Sequence, residues 1–181
     1  MGSDKIYSLL SNLNKMVAIT LGTGGTFKSP TAEGHLLEIC TYLQNQERSN
    51  ISNSTNKDYV QISFNLNDMT TGISFALPAE QTINETGQII TTASDYLQNI
   101  TFSPGTNGTF KSSTLSQYFL EVVTYLQIKE SNNVSNTQLV NNVTSSYDAD
   151  DKLFSGSITL PIAVTIDSSG HPLISAVEYL S

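Results

Sequence analysis

The stretch GTGGTFKS, Gly22 to Ser29, is where residue types and spacing come closest to a known chemistry. A phosphate-binding loop runs Gly, any four residues, then Gly-Lys-Ser/Thr. Its backbone N–H groups wrap the phosphates and its Lys reaches between them. Gly22 opens that pattern and Lys28-Ser29 closes it, but Phe27 stands where the second Gly belongs. A Cβ and a ring at that point block the close approach of backbone to phosphate. No acidic residue follows at the end of an apolar strand to hold magnesium, and antiparallel strands follow where a parallel unit is needed. The loop therefore reads as a structural turn, with Phe27 packed back on the helix that follows, in the manner of a hydrophobic staple. A weaker functional reading keeps Thr26, Lys28 and Ser29 as an anion-binding set at a helix N-terminus, with Thr109, Lys111 and Ser112 as a second such set.

Other reactive side chains form no complete set. Asp148–Lys152 (DADDK) is the densest acidic cluster, but it lacks the Gly and terminal Glu of a calcium loop and reads as a polar turn. His35 and His171 cannot make a zinc site alone; His35 is expected at the surface or partly buried. Cys40, the only cysteine, falls on an apolar helical stripe and reads as core, and it leaves no partner for an intrachain disulfide. Glu38 and Glu121 are expected on solvated helix faces. No catalytic residues, metal ligands or cofactor are assigned.

The elements that position these residues come in two copies. GTFKS occurs at Gly25–Ser29 and again at Gly108–Ser112, 83 residues on, and 15 of 26 positions are identical between segments 22–47 and 105–130. The register holds to the end: Leu77-Pro78 meets Leu160-Pro161, and Tyr96-Leu97 meets Tyr179-Leu180. Repeats of this kind set the architecture. The reading is one α+β domain, residues 16–181, made of repeat 1 (16–98) and repeat 2 (99–181), with an extension at 1–15. Each unit is β-α-β-β-β, with an antiparallel sheet and two equivalent helices about a pseudo-twofold axis.

Within each unit, Ser29 and Ser112 are expected to cap a helix with Pro30 at its first position. Leu36, Ile39, Cys40 and Leu43 recur at helical spacing, as do Phe119, Val122, Val123 and Leu126. Polar turns are expected at Ser49–Asn56 and Ser131–Thr137. Val60, Ile62, Phe64 and Leu66 alternate as a strand, as do Ile158 to Ile166. A third strand is expected through IITTASDYL and LISAVEYL, and short strands at Val17–Leu21 and Ile100–Ser103. Ile6, Leu9, Leu10 and Leu13 suit a helix in the extension. Pro78 and Pro161 suggest sheet edges.

Charge and composition narrow the function. Net charge is −8 and charged residues are 13%, which disfavours nucleic acid and anionic membranes as partners. No signal peptide or transmembrane run is read in the sequence, and the compartment stays open. Low charge, a duplicated scaffold and the missing catalytic sets point to a non-enzymatic structural or interaction module that self-associates or docks a protein partner through a strand edge or the sheet's open face. The alternative is a small-molecule binder or enzyme with its site in a groove between the repeats.

Overall fold

A computed structural model describes residues 19–49, 59–97, 100–132 and 142–179. Two 18-residue helices, α1 (Ala32–Ser49) and α2 (Leu115–Asn132), carry the expected apolar stripes. Leu36, Ile39, Cys40, Leu43, Phe119, Val122, Val123 and Leu126 are all fully buried. Helix α1 starts two residues later than a Ser29 cap requires. Thr31 Oγ1 accepts from Gly34 N–H at 3.1 Å, so Thr31 is the N-cap. Ser29 lies before the helix, its N–H donating to Glu38.

The strands are β1 (Val60–Asn65), β2 (Thr70–Ile83), β3 (Ile89–Ala93), β4 (Val143–Asp148), β5 (Leu153–Ile166) and β6 (Pro172–Ala176). All pairings are antiparallel, in a six-stranded sheet of order β1-β2-β5-β4, with β3 on β2 and β6 on β5. Each element of the second half begins and ends 83 residues after its counterpart in the first, as Leu115 follows Ala32. The registers repeat too: Val60 faces Phe75 and Val143 faces Ile158. The central β2–β5 pairing is centred on Ser74 opposite Ser157.

Strands β2 and β5 are long because each serves two neighbours in succession. Ala76 N–H donates to Tyr59 C=O, and Ser94 N–H donates to Pro78 C=O. Residues two apart in a strand face the same way, so β3 follows β1 along one side of β2. Pro78 is therefore not at a free edge: it faces Leu153 of β5 on the other side. Its missing N–H falls at the junction between β1 and β3, where the absence leaves no gap in the ladder. Pro161 sits likewise, accepting from Val177 N–H.

One sheet face is buried under the helices by Ile73, Phe75, Leu77, Ile158 and Leu160. Helix α1 packs on β1 and on β6 of the other half, and α2 on β4 and β3. The third strand of each unit is shorter than its sequence suggests. It stops at Ala93 and Ala176, because Tyr96 and Tyr179 turn away from the sheet to hydrogen-bond Glu47 and Glu130.

Residues 19–21 and 100–103 form no strand. They make single cross-links instead: Thr26 N–H to Ser103 C=O, Thr109 N–H to Thr20 C=O, and a bridge of two reciprocal bonds between Thr23 and Thr106. The expected helix at Ile6–Leu13 and most of the turns Ser49–Asn56 and Ser131–Thr137 lie outside the described residues. The Asp148 hairpin is a turn in which Asp148 Oδ1 accepts from the N–H groups of Asp150 and Asp151. Asn65 does the same for Asn67 and Asp68.

Candidate functional site

The two Gly loops meet each other. A Cβ on Gly22 would lie 2.1 Å from Pro104 O, and one on Gly105 would lie 2.4 Å from the Gly22 carbonyl carbon. Space for a second backbone, rather than an unusual dihedral, is what Gly22, Gly25 and Gly108 supply. Positive φ is confined here to Gly24, Gly105 and Asn107. The glycines of the near-match to a phosphate loop thus admit another stretch of this same chain.

The anion-site residues lie at the rim of this contact. Lys28 N–H and Ser29 N–H both donate to the Glu38 carboxylate, at 2.8 and 3.1 Å. Lys111 N–H and Ser112 N–H donate to Glu121, at 2.9 and 3.1 Å, and Ser112 Oγ–H donates to it as well. Glu38 and Glu121 are therefore not solvated ornaments of a helix face. Each reaches back ten residues to clamp its loop, supplying in-chain the negative charge an external anion would bring. Lys28 Nζ donates to Gly25 C=O at 2.6 Å. Thr26 Oγ1 accepts from Ser103 N–H, and Thr109 Oγ1 from Thr20 N–H, so these hydroxyls tie the loops together.

Phe27 and Phe110 are buried, as the staple reading requires. They enclose His35, which is also buried rather than at the surface. The His35 ring stacks on Phe110 and meets Phe27 edge-on, both at 5.6 Å between centroids. Its Nδ1 lies 3.3 Å from Ser29 C=O, so Nδ1 carries the proton. Nε2 then accepts from the Tyr118 hydroxyl at 2.6 Å. Burial lowers the His35 pKa and raises that of Tyr118 to about 12, so both groups are neutral near pH 7. Burial pushes the Cys40 thiol well up, leaving it a core residue and not a nucleophile.

Beside the first loop lies an open groove of about 630 Å³. Its floor is Phe27 and Leu37, one wall is Gly34, Glu38, Thr41 and Asn45 of α1, and the other is Phe64 with Pro172, Ile174 and Ala176. Thr26 and Ser29 of the predicted set open into it, while Lys28 does not line it. The alternative reading places a site in a groove between the halves, and this groove is lined from both, but its residues were not legible because part of its wall comes from β6, about 140 residues away in the chain. The signal that locates it is a difference at the 83-residue offset: Gly34 and Phe64 stand where the residues 83 positions on are Gln117 and Tyr147.

A different departure occurs where the helices cross. Glu33, in the first turn of α1, is fully buried, and neither carboxylate oxygen has a hydrogen-bond partner. Lys129 Nζ of α2 is 3.9 Å away. Burial raises the Glu33 pKa to about 7, opposed by Lys129 and by the nearby backbone N–H groups of Glu33 and Tyr179, and assisted by Glu178.

Among the described residues no cluster of His, Cys, Asp and Glu is placed to hold a metal ion, and no helix is long and apolar enough to cross a membrane. In comparisons with protein-family models, curated proteins and solved structures, no significant match is found for the chain.

Proposed function

We propose that the chain is a tandem duplication, repeat 1 at 16–98 and repeat 2 at 99–181, that acts as a non-enzymatic interaction module and associates with a second copy. The duplication draws support from the constant offset of every element and from the residues that meet across the centre. Thr23 bonds Thr106, His35 bonds Tyr118, and Ser74 faces Ser157. Each pair is separated by 83 residues, which is what a pseudo-twofold axis between equivalent units requires, since positions on such an axis contact their own equivalents.

The observation that carries the interaction reading is a pair of two-stranded arms. Beyond Ala79, β2 pairs with β3 alone, and beyond Ile162, β5 pairs with β6 alone. A two-stranded ribbon is marginal by itself in water. These two leave Ile83, Ile89 and Ile90, and Ile166, Leu173 and Ile174, exposed. Strands β3 and β6 carry no charged residue, so charge does not guard these edges, and Pro172 guards β6 only at its first residue. The arms are equivalent in the repeat, so one chain offers the same apolar ribbon twice, and a second copy matches both. Glu38 and Glu121 are engaged by backbone, Cys40 is buried and His35 is held by Tyr118, which favours binding over catalysis. Size-exclusion chromatography with light scattering is the test. The chain is expected to run above 19.6 kDa, and the paired substitution Ile83→Lys with Ile166→Lys is expected to return it to monomer. A clean monomer of the unaltered chain at high concentration refutes self-association.

A further inference from the structure

The two arms leave the sheet at opposite ends. Ile83, the last residue of β2, lies nine residues beyond Ser74, and Ile166, the last of β5, lies nine beyond Ser157. Ser74 and Ser157 face each other at the centre of an antiparallel pair, so the two strands run away from that point in opposite directions. At about 3.3 Å per residue, the tips are up to about 60 Å apart along the sheet. Ile83 is 72% exposed at one tip and Ile166 is 66% exposed at the other.

Charge favours contact at these tips over contact between the bodies. The chain carries a net −8, and two copies lying side by side would bring those charges together along their whole length. The outer strands β3 and β6 carry none. The turns beyond them hold Glu85 in one arm, and Asp167 in the other, where His171 Nδ1 lies 3.6 Å from its carboxylate. Contact at the tips keeps the remaining charge of the two bodies farther apart than the roughly 8 Å over which it acts at physiological salt.

We propose that each copy is joined at one arm only, so that the protein grows end to end into an open polymer and does not close as a dimer. This rests on the self-association read from the arms above and gives it a geometry. The outer strand of one arm pairs along the outer strand of an arm on the next chain, with the exposed isoleucines and Leu173 packed across the joint. One joint consumes one arm from each chain, and the free arm at the far end accepts the next copy, so growth has no built-in stop. Strands β3 and β6 are five residues each. A joint of that size falls short of the roughly 1,200 Å² of a stable complex, so each joint is weak and the mean length follows concentration.

Sedimentation velocity of the unaltered chain, from micromolar to millimolar concentration, is the test. The weight-average mass is expected to rise past twice 19.6 kDa without a plateau. Ile83→Lys alone, or Ile166→Lys alone, leaves one working arm and is expected to stop at two chains or fewer at every concentration. Should either substitution lower the melting temperature, Ile89→Lys and Leu173→Lys, on the paired strands of the same arms, take their place. Open growth is overturned if the unaltered chain levels off at two copies, or if a one-arm variant grows beyond two; self-association itself then stands. An unaltered chain that stays monomeric throughout refutes self-association, and the polymer with it.

Discussion

Substituting Glu33 by Gln removes a carboxyl group while keeping its shape, and the expected effect depends on pH. In the unfolded chain this carboxyl titrates near its ordinary value of 4.5, and in the native chain near 7. Below about pH 4.5 both forms hold the proton and Glu33 resembles Gln. Between those values the unfolded form gives up its proton and the native form does not, so stability falls as pH rises; above about 7 the loss is complete. At about 1.4 kcal/mol per tenfold change in proton affinity, the full loss is about 3 kcal/mol. Lys129 does not overturn the sign, because its attraction is already outweighed by the larger cost of burying the carboxylate. Urea denaturation across pH 4.5 to 8.5 is the assay. Glu33→Gln is expected to match the unaltered chain at the acid end and to exceed it by about 3 kcal/mol at the alkaline end. If Glu33→Gln is instead the less stable protein at pH 8, the carboxylate is ionised and held by Lys129, and the reasoning from burial is wrong.

Tyr118→Phe strips the donor from His35 Nε2 and leaves a buried acceptor alone, which is expected to cost about 1–3 kcal/mol; the denaturation midpoint should fall with an unchanged slope. Gly22→Ala is expected to destabilise by about 1–3 kcal/mol through overlap with Pro104 O, whereas Gly24→Ala acts through its positive φ alone. Thermal melts of the two variants with and without ATP and magnesium separate this packing role from a nucleotide site, which would shift the melting temperature upward in the unaltered chain.

Periodicity made the secondary structure readable, because each apolar stripe and each alternating run appears twice with different residues. Cys40 against Val123 and Leu36 against Phe119 keep one face while changing side chain, which marks core. The antiparallel sheet and the helix positions follow from that. The strand ends did not: Tyr96 and Tyr179 look like strand residues until their hydroxyls find Glu47 and Glu130, and nothing local signals that attraction. The role of Glu38 was hidden for a related reason. A charged residue on a helix normally faces water, and only the path of the loop brings Lys28 N–H within its reach. The groove was least accessible of all, since its walls belong to segments remote in sequence.

The His35–Tyr118 bond has a consequence for how such a molecule can be made. One partner accepts and the other donates, so the bond needs two different side chains at positions that the proposed duplication makes equivalent. Two separate identical half-length chains would bring histidine to histidine or tyrosine to tyrosine at that point. Joining the halves covalently gives each its own codon there, and a heteromeric contact becomes heritable within a single gene product. On the same logic Gly34 could diverge from Gln117, and Phe64 from Tyr147.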